Sequence, residues 1–294
     1  MSFQTRCANF RPMMIRAAKI AVLHTLLAAA TLLLGMGVSH AADDECGARA
    51  KDIVQHAYPN AVKASDTGFT VDGFVITLPE ESLVGDDPHA ILCRVWPAHP
   101  ELMLVAVPLV GAQSDDGNTG DLELLVLDAA SLDVRQRLRL AGRMSDDAVR
   151  ITQVAFDTAR YQLAPGQMAF GLRIFQHGSS GPNPFGEVGL WLYAIVNGKL
   201  VPVLDGITVS DNHGEWDTNC AGTFDETNRT LAMQSTVHNG YADILVSETS
   251  SSRVSAVGAN GECGDQQVSQ KKSTMRLVYD GKQYNVPEAS KPLD

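Results

Sequence analysis

The fold class is indicated most clearly by one stretch, LWLYAIVNGKLVPVLDGITV, at Leu190–Val209. Two apolar runs, Leu190–Val196 and Leu200–Val209, flank the dipeptide Asn197-Gly198. Asn-Gly pairs favour the positive-φ turns that join antiparallel strands, and β-branched and aromatic residues favour the strands themselves. The stretch therefore predicts a β-hairpin.

The same turn signal recurs along the chain. Asp-Gly or Asn-Gly dipeptides begin at residues 72, 116, 197, 205, 239, 260 and 280. Other strand-like segments lie between them: Leu122–Asp128, Val134–Leu140, Val149–Phe156, Ala169–Gln176, Thr230–Thr236, Ala242–Ser247 and Met275–Tyr279. Short strands separated by turns predict a mainly β fold, either an antiparallel sandwich or barrel-like sheets. A small propeller-like domain is the alternative, because Leu122–Leu140 and Leu190–Asp205 resemble each other as strand-turn-strand units.

One N-terminal helix is predicted. Asp44 can cap a helix over Glu45–Tyr58, where apolar residues recur at helical spacing, and Pro59 ends it. Two polar loops, at 178–187 and 210–218, are expected to project from the β scaffold.

The first 41 residues have the features of a secretory signal peptide. They contain four basic residues and no acid, with an uncharged apolar run from Ile20 to Val38 and the small-residue exit Ser39-His40-Ala41. We expect cleavage after Ala41. The alternative is an uncleaved membrane anchor, because the uncharged run is nearly long enough to cross a bilayer.

The chain is divided accordingly into four parts. The signal peptide at 1–41 is followed by a helix-plus-strand subdomain at 42–112, an antiparallel β domain at 113–286 and a flexible tail at 287–294.

The charge balance restricts the partners. The chain has 23 basic and 34 acidic residues, a net charge of −11, which becomes −15 once the leader with its four basic residues is removed. Such a charge repels nucleic acid and anionic lipid, and it favours cationic partners or divalent cations. The alanine-rich leader is of bacterial type, so the expected destination is the periplasm or the exterior.

Four cysteines remain after the leader: Cys46, Cys93, Cys220 and Cys263. An even number in an oxidising compartment predicts two disulfides, for which three pairings are open. We favour Cys46–Cys93 and Cys220–Cys263, because each bridge would then staple one end of the chain. The spacing of the cysteines matches no zinc motif.

An acidic loop at 115–121, DDGNTGD, offers oxygen side chains at Asp116, Asn118 and Asp121. Calcium binds oxygen ligands from tight loops of this kind. The loop is similar to the calcium loops of integrin-type propeller repeats, although it lacks their third alternate acid and their usual spacing. The resemblance implies a calcium-binding, calcium-stabilised module, whereas a solvated hairpin turn is the simpler interpretation. No other cofactor is expected.

A second candidate site is the segment 211–217, DNHGEWD. If it is extended, Asp211, His213, Glu215 and Asp217 project to one face, and such side chains can bind a partner, hold a divalent metal or supply a general base. The neighbouring Trp216 could add an aromatic contact. Because Gly214 favours a loop, a solvated loop beside Cys220 is the competing interpretation.

His177 is the last candidate binding residue, and it precedes Gly-Ser-Ser-Gly at 178–181. The segment is not a G-x-S-x-G nucleophile elbow. A secreted hydrolase that uses His177 or His213 with nearby acids remains an alternative, because catalytic triads are assembled in space.

These observations favour an exported binding, inhibitor or immunity-type protein without catalytic activity. The expected partner is an envelope or secreted protein, and the acidic charge suggests that this partner is basic. Neither nucleic acid nor, once the leader is cleaved, a membrane is expected as a partner.

Overall fold

The structure, a computed structural model, describes residues 46–80 and 87–293. The predicted signal peptide at 1–41 and the helix-capping Asp44 lie outside the described residues. Within the described part, two seven-stranded antiparallel sheets follow one short helix, which confirms the mainly β fold, the sandwich and the N-terminal helix.

The helix α1 is Ala50–Ala57 and follows a 3₁₀ turn at Gly47–Arg49. It forms because Ala50, Ile53, Val54 and Ala57 make one buried stripe at helical spacing. Among the described residues, no helix is long and apolar enough to span a bilayer.

Sheet one is formed by the seven strands that come before residue 141 in the chain. Its strands are β1 Val62–Lys63, β2 Gly68–Val71, β3 Phe74–Thr77, β4 Leu92–Val95, β5 Leu102–Gln113, β6 Asn118–Asp128 and β7 Val134–Leu140. The strand order is β1-β2-β3-β5-β6-β7, and β4 pairs with β5.

Sheet two follows the connection at 141–148. Its strands are β8 Val149–Ala164, β9 Gln167–Gly178, β10 Phe185–Val196, β11 Lys199–Trp216, β12 Gly222–His238, β13 Tyr241–Val257 and β14 Cys263–Leu277. Each strand pairs with the next along the chain, so β8 and β14 are the two edges. The predicted domain 113–286 therefore contributes strands to both sheets.

Alternation along β5 builds the layers. Met103 and Val105 are buried with Ile53 of α1 on one side of sheet one. Leu104, between them in sequence, is buried with Phe170 of sheet two on the other side. Because successive side chains of a strand point to opposite faces, one strand contributes to both cores.

The Asn197-Gly198 dipeptide forms the predicted hairpin turn between β10 and β11, with φ values of 51° and 71°. The prediction of a turn at Asp205-Gly206 is wrong. Gly206, at φ 81°, lies inside β11, where the pairing with β10 shifts register. A bulge requires the same left-handed backbone as a turn, which explains the misleading signal.

The polar ends of β11 to β14 form a four-stranded extension of sheet two. We call it the wing, and its residues are 210–216, 222–228, 249–257 and 263–272. Its edge strand is exposed from Cys263 to Thr274. Because alternate residues of an exposed strand point to opposite sides, solvent reaches both faces of the wing there.

The prediction of a polar loop at 210–218 is wrong, because strand β11 continues through residues 210–216. The amide of Gly214 donates to Pro184 O at 3.1 Å, and the amide of Trp216 donates to Pro182 O at 2.7 Å. On its other side the segment pairs with β12. Backbone pairing on both sides fixes the extended conformation despite the polar sequence.

Both predicted disulfides are present. Cys46–Cys93 joins the start of the described chain to β4, with a Cα–Cα distance of 4.9 Å. Cys220–Cys263 joins the β11–β12 turn to the start of β14 at 5.6 Å, so it ties together the tip of the wing.

The C-terminal segment, for which the sequence predicts flexibility, contacts sheet two as far as Leu293. The backbone amide of Leu293 donates to Glu187 Oε1 at 2.8 Å. Pro292 passes so close to Gly189 and Gly206 that a Cβ at either glycine would lie 3.0 Å from it. A Cβ at Gly189 or Gly206 would come still closer to the Trp191 ring, at 2.5 and 2.9 Å, so the two glycines provide the space for that ring as well as for the tail.

Candidate functional site

The strand register divides the wing side chains between two faces, since paired residues share a face and neighbours alternate. One face, which we call the acidic face, carries Asp211, His213, Glu215, Thr223, Asp225, Thr227, Ser250, Ser252, Val254, Gln267, Ser269 and Lys271. The opposite face, which we call the aromatic face, carries Ser210, Asn212, Gly214, Trp216, Gly222, Phe224, Glu226, Asn228, Thr249, Ser251, Arg253, Ser255, Asp265, Val268, Gln270 and Lys272.

His213 lies at the centre of the acidic face. Its Nδ1 is 3.5 Å from Asp211 Oδ1, and its Nε2 is 3.8 Å from Asp225 Oδ2. The imidazole side chain is 57% exposed. The structure thus places an accessible imidazole between two carboxylates, an arrangement suited to cationic ligands.

The sequence predicts part of this arrangement. Asp211, His213 and Glu215 do share one face of an extended strand, as alternation requires. Asp225 was missed, because it comes from β12 and meets His213 only through the pairing of the two strands. No local pattern in the sequence marks that register.

The base of the acidic face is more buried than its tip. Burial raises the pKa of Asp211, and the charges of Arg229 and His213 oppose this rise. Burial likewise raises the pKa of Glu187, the neighbour of Asp211 on β10, against hydrogen bonds from the Leu293 amide and the Thr208 hydroxyl. Two partly desolvated carboxylates therefore lie side by side at the base.

Arg229 neutralises part of this negative charge. Its Nε lies 2.8 Å from Glu248 Oε2, and its Nη1 donates to Thr208 O at 2.8 Å. The base and the acidic face together hold five carboxylates among the described residues: Glu187, Asp211, Glu215, Asp225 and Glu248. Only Arg229 and Lys271 carry a permanent positive charge there, so the surface is acidic.

Asp217 and Trp216 do not join this group. Asp217 lies in the β11–β12 turn, where its carboxylate accepts the amides of Asn219 and Cys220 at 2.9 and 2.7 Å. These hydrogen bonds hold the pKa of Asp217 below its ordinary value. Asp217 therefore stabilises the turn. Trp216 lies on the aromatic face, opposite His213.

His177 is exposed near the end of β9, two strands away from β11 in the sheet. It pairs with Gly186, which pairs with Asn212, so it projects from the side of the aromatic face. Within the described residues, no hydroxyl or thiol side chain hydrogen bonds to His177 or His213. The structure thus assembles no nucleophile–histidine pair at either residue.

Two of the three proposed calcium ligands take part in other contacts. Asn118 Nδ2 donates to Asp146 Oδ1 at 2.8 Å. Asp121 accepts Arg139 Nε at 2.6 Å and the Gly142 amide at 2.8 Å. These contacts join β6 to Arg139 of β7 and to Gly142 and Asp146 of the connection that follows β7. Asp116, by contrast, is exposed in the β5–β6 turn. The three side chains are not gathered around one point.

Over residues 46–80 and 87–293, no three His, Cys, Asp or Glu side chains are arranged to hold a metal ion. Comparison with protein-family models, curated proteins and solved structures finds no significant match to this chain. The function must therefore be inferred from the geometry of the wing.

Proposed function

We propose that this chain is an exported, non-catalytic binding protein that holds a basic protein partner on the acidic face of its wing. The observation that carries the proposal is the group of Asp211, His213, Glu215 and Asp225 on a strand surface beyond the hydrophobic core. The partner would be an envelope or secreted protein, as for an inhibitor or immunity-type protein.

The rigidity of the wing supports a binding role. Each of its inner strands is hydrogen bonded on both sides, and Cys220–Cys263 closes its tip. A surface that is ordered before association loses less conformational entropy on binding than a mobile loop does. The wing is therefore a preorganised platform.

Charge supports a basic partner. The carboxylates of the acidic face outnumber its cations, and the whole chain is acidic. Complementary charge speeds association and disfavours partners of like charge. Binding should therefore weaken as the salt concentration rises.

Export is the second part of the proposal. The leader-like composition of residues 1–41 and the two disulfides both support it. Intact-mass measurement of the exported protein should give a chain that begins at Ala42. A membrane-retained species that still contains residues 20–38 would contradict this part.

Affinity capture tests the binding role. The mature protein is immobilised and incubated with envelope extract, beside a double variant, Glu215→Gln with Asp225→Asn. The control, Asp66→Asn with Glu101→Gln, removes the same charge from exposed sites outside the wing. We expect the wild type and the control to retain a basic protein that salt releases, and the wing variant to lose it. Equal capture by all three proteins would refute the proposal.

A further inference from the structure

A cleft lies outside the wing, between the connection at 141–148 and the strands of sheet two. It consists of two adjoining cavities with volumes of about 320 and 410 Å³, and both are lined by Ser145, Gln176 and Leu293. These volumes are in the range of small-molecule sites, about 300–1,000 Å³. The cleft is therefore large enough for a ligand of the size of one or two amino acids.

Arg143 lines the first cavity, where its guanidinium lies 4.5 Å from the centroid of the Trp191 ring. A guanidinium that packs over a ring keeps its N–H donors at its edge, in the plane of the group. Within residues 46–80 and 87–293 these donors make no hydrogen bond, and no carboxylate lies within ion-pair distance of them. Arg143 therefore presents an unpaired positive charge to the cavity.

The nearby carboxylates do not neutralise this charge. Asp121 lies 2.6 Å from Arg139, and Asp146 lies 3.1 Å from Arg150, so both already have a cationic partner. Asp147 lines only the second cavity. Among the described residues, no acidic side chain lines the first cavity, which is thus the positive end of the cleft.

The connection that carries Arg143 is held firmly against sheet one. Met144 is fully buried, and its amide donates to Gly120 O at 3.0 Å. The hydroxyl of Ser145 accepts the Gly120 amide at 3.1 Å. Because the residues after Arg143 are fixed in this way, the position of the guanidinium is largely set before any ligand binds.

The remaining lining determines the rest of the ligand. Ile151 and Ile174 form an apolar floor in the first cavity, and Leu293, which is 49% exposed, adds an apolar wall. The side-chain amide of Gln176 lines both cavities and makes no hydrogen bond to another described residue. The cleft thus combines a cation, an apolar surface and a free amide, which match a carboxylate, an apolar side chain and an amide in the ligand.

We propose that this cleft binds an N-acylated apolar amino acid, either free or as the carboxyl terminus of a short peptide. The ligand carboxylate pairs with Arg143, the apolar side chain packs against Ile174 and Leu293, and the acyl amide hydrogen bonds to Gln176. In a peptide, the preceding residue extends into the second cavity. The site lies outside the wing, so it stands or falls independently of the proposed partner.

Titration calorimetry of the mature, disulfide-bonded protein tests the site. The probes are acetyl-leucine, acetyl-alanyl-leucine and the carboxamide of acetyl-alanyl-leucine, which lacks the negative charge. We expect the carboxylates to bind with a Kd on the order of 0.1–1 mM, and the carboxamide to bind at least about tenfold more weakly. Tighter binding of acetyl-alanyl-leucine than of acetyl-leucine assigns the site to peptide termini, and equal or weaker binding assigns it to free N-acylated amino acids.

Arg143→Gln removes the charge and keeps a long polar side chain. It should weaken binding of the carboxylates at least about tenfold and abolish their advantage over the carboxamide. Arg160→Gln is the matched control and should bind like the wild type, because Arg160 is exposed on β8, lines neither cavity and has no ion pair within the described part of the chain. Unchanged thermal melting of both variants verifies that they are folded.

Three results would overturn the site. The first is a wild-type protein that binds neither carboxylate at about 10 mM, and the second is a carboxamide that binds as tightly as the carboxylate. Both are measured on the wild type, so they do not depend on the folding of a variant. The third is Arg143→Gln binding the carboxylates as tightly as the wild type, or no more weakly than Arg160→Gln.

Discussion

The Nδ1 atom of His213 lies 3.5 Å from Oδ1 of Asp211, two residues earlier on the same face of β11. This contact joins the exposed tip of the acidic face to its partly buried base, where Asp211 is next to Glu187. His213 can therefore serve as a contact residue for a partner or, in the hydrolase alternative, as a base.

Replacing the histidines distinguishes these two roles. His177→Ala and His213→Ala should each change the free energy of unfolding by no more than about 0.5 kcal/mol, because both side chains are exposed. Partner capture should fall only modestly. Urea unfolding and capture are the measurements. If either substitution abolished turnover of a substrate while binding persisted, the hydrolase would replace the binding protein, since losing a general base costs about 10²–10⁴ in rate.

The pKa of Glu187, raised by burial, predicts a pH dependence. A raised pKa means that the folded protein holds this proton more tightly than the unfolded chain does. The associated stability is complete below the ordinary value of 4.5 and is lost as the pH rises through the folded-state pKa. Glu187→Gln should remove this loss.

Urea unfolding at about pH 4 and pH 7 measures this effect. The wild type should lose stability relative to Glu187→Gln at the higher pH, whereas the exposed control Glu101→Gln should show no such trend. A difference between wild type and Glu187→Gln that stays constant with pH would exclude this role for Glu187.

Asp243 predicts the opposite dependence. Its side chain is fully buried, and hydrogen bonds from Thr236 and His238, at 2.6 and 2.7 Å, hold its pKa below the ordinary value in spite of that burial. The stability that the ionised Asp243 contributes is therefore present above pH 3.8, the ordinary pKa of an aspartate, and is lost as the pH falls through the depressed pKa. Asp243→Asn should cost about 2–4 kcal/mol at neutral pH, measured by urea unfolding. A loss below about 0.5 kcal/mol would show that the hydrogen bonds of Asp243 with Thr236 and His238 contribute little to the stability of the fold.

Removing the Cys220–Cys263 bridge should loosen the wing selectively. The bridge spans 43 residues, and loop-closure entropy assigns it about 4 kcal/mol. The double variant Cys220→Ser with Cys263→Ser should therefore be cleaved by trypsin at Arg253, Lys271 and Lys272 sooner than the wild type. Unchanged cleavage at these sites would mean that strand pairing alone holds the wing.

The sequence predicts those parts of the fold that have a hydrophobic signal. The segment Val134–Leu140, in which three arginines alternate with Val134, Gln136, Leu138 and Leu140, is strand β7 with the same bounds. The Asn197-Gly198 turn is where the dipeptide indicates it. The polar half of β14 was missed, because its exposed residues alternate between two solvated faces and leave no apolar period. Its strand character comes from pairing with β13.

The sequence likewise predicts only part of the candidate site. Alternation within one strand correctly groups Asp211, His213 and Glu215, because it depends only on an extended backbone. The contribution of Asp225 depends on cross-strand register, and the exclusion of Asp217 depends on where the strand ends. Neither is encoded by a local pattern of residue types.

The most direct test of the proposed function is the dissociation constant for the captured basic protein, measured by titration calorimetry at low and high salt. The account predicts that Glu215→Gln with Asp225→Asn weakens binding about tenfold at low salt, equivalent to ~0.7 kcal/mol for each charge, and by less at high salt. The control Asp66→Asn with Glu101→Gln should bind like the wild type. Equal weakening by both double variants, or an affinity that does not respond to salt, would contradict it.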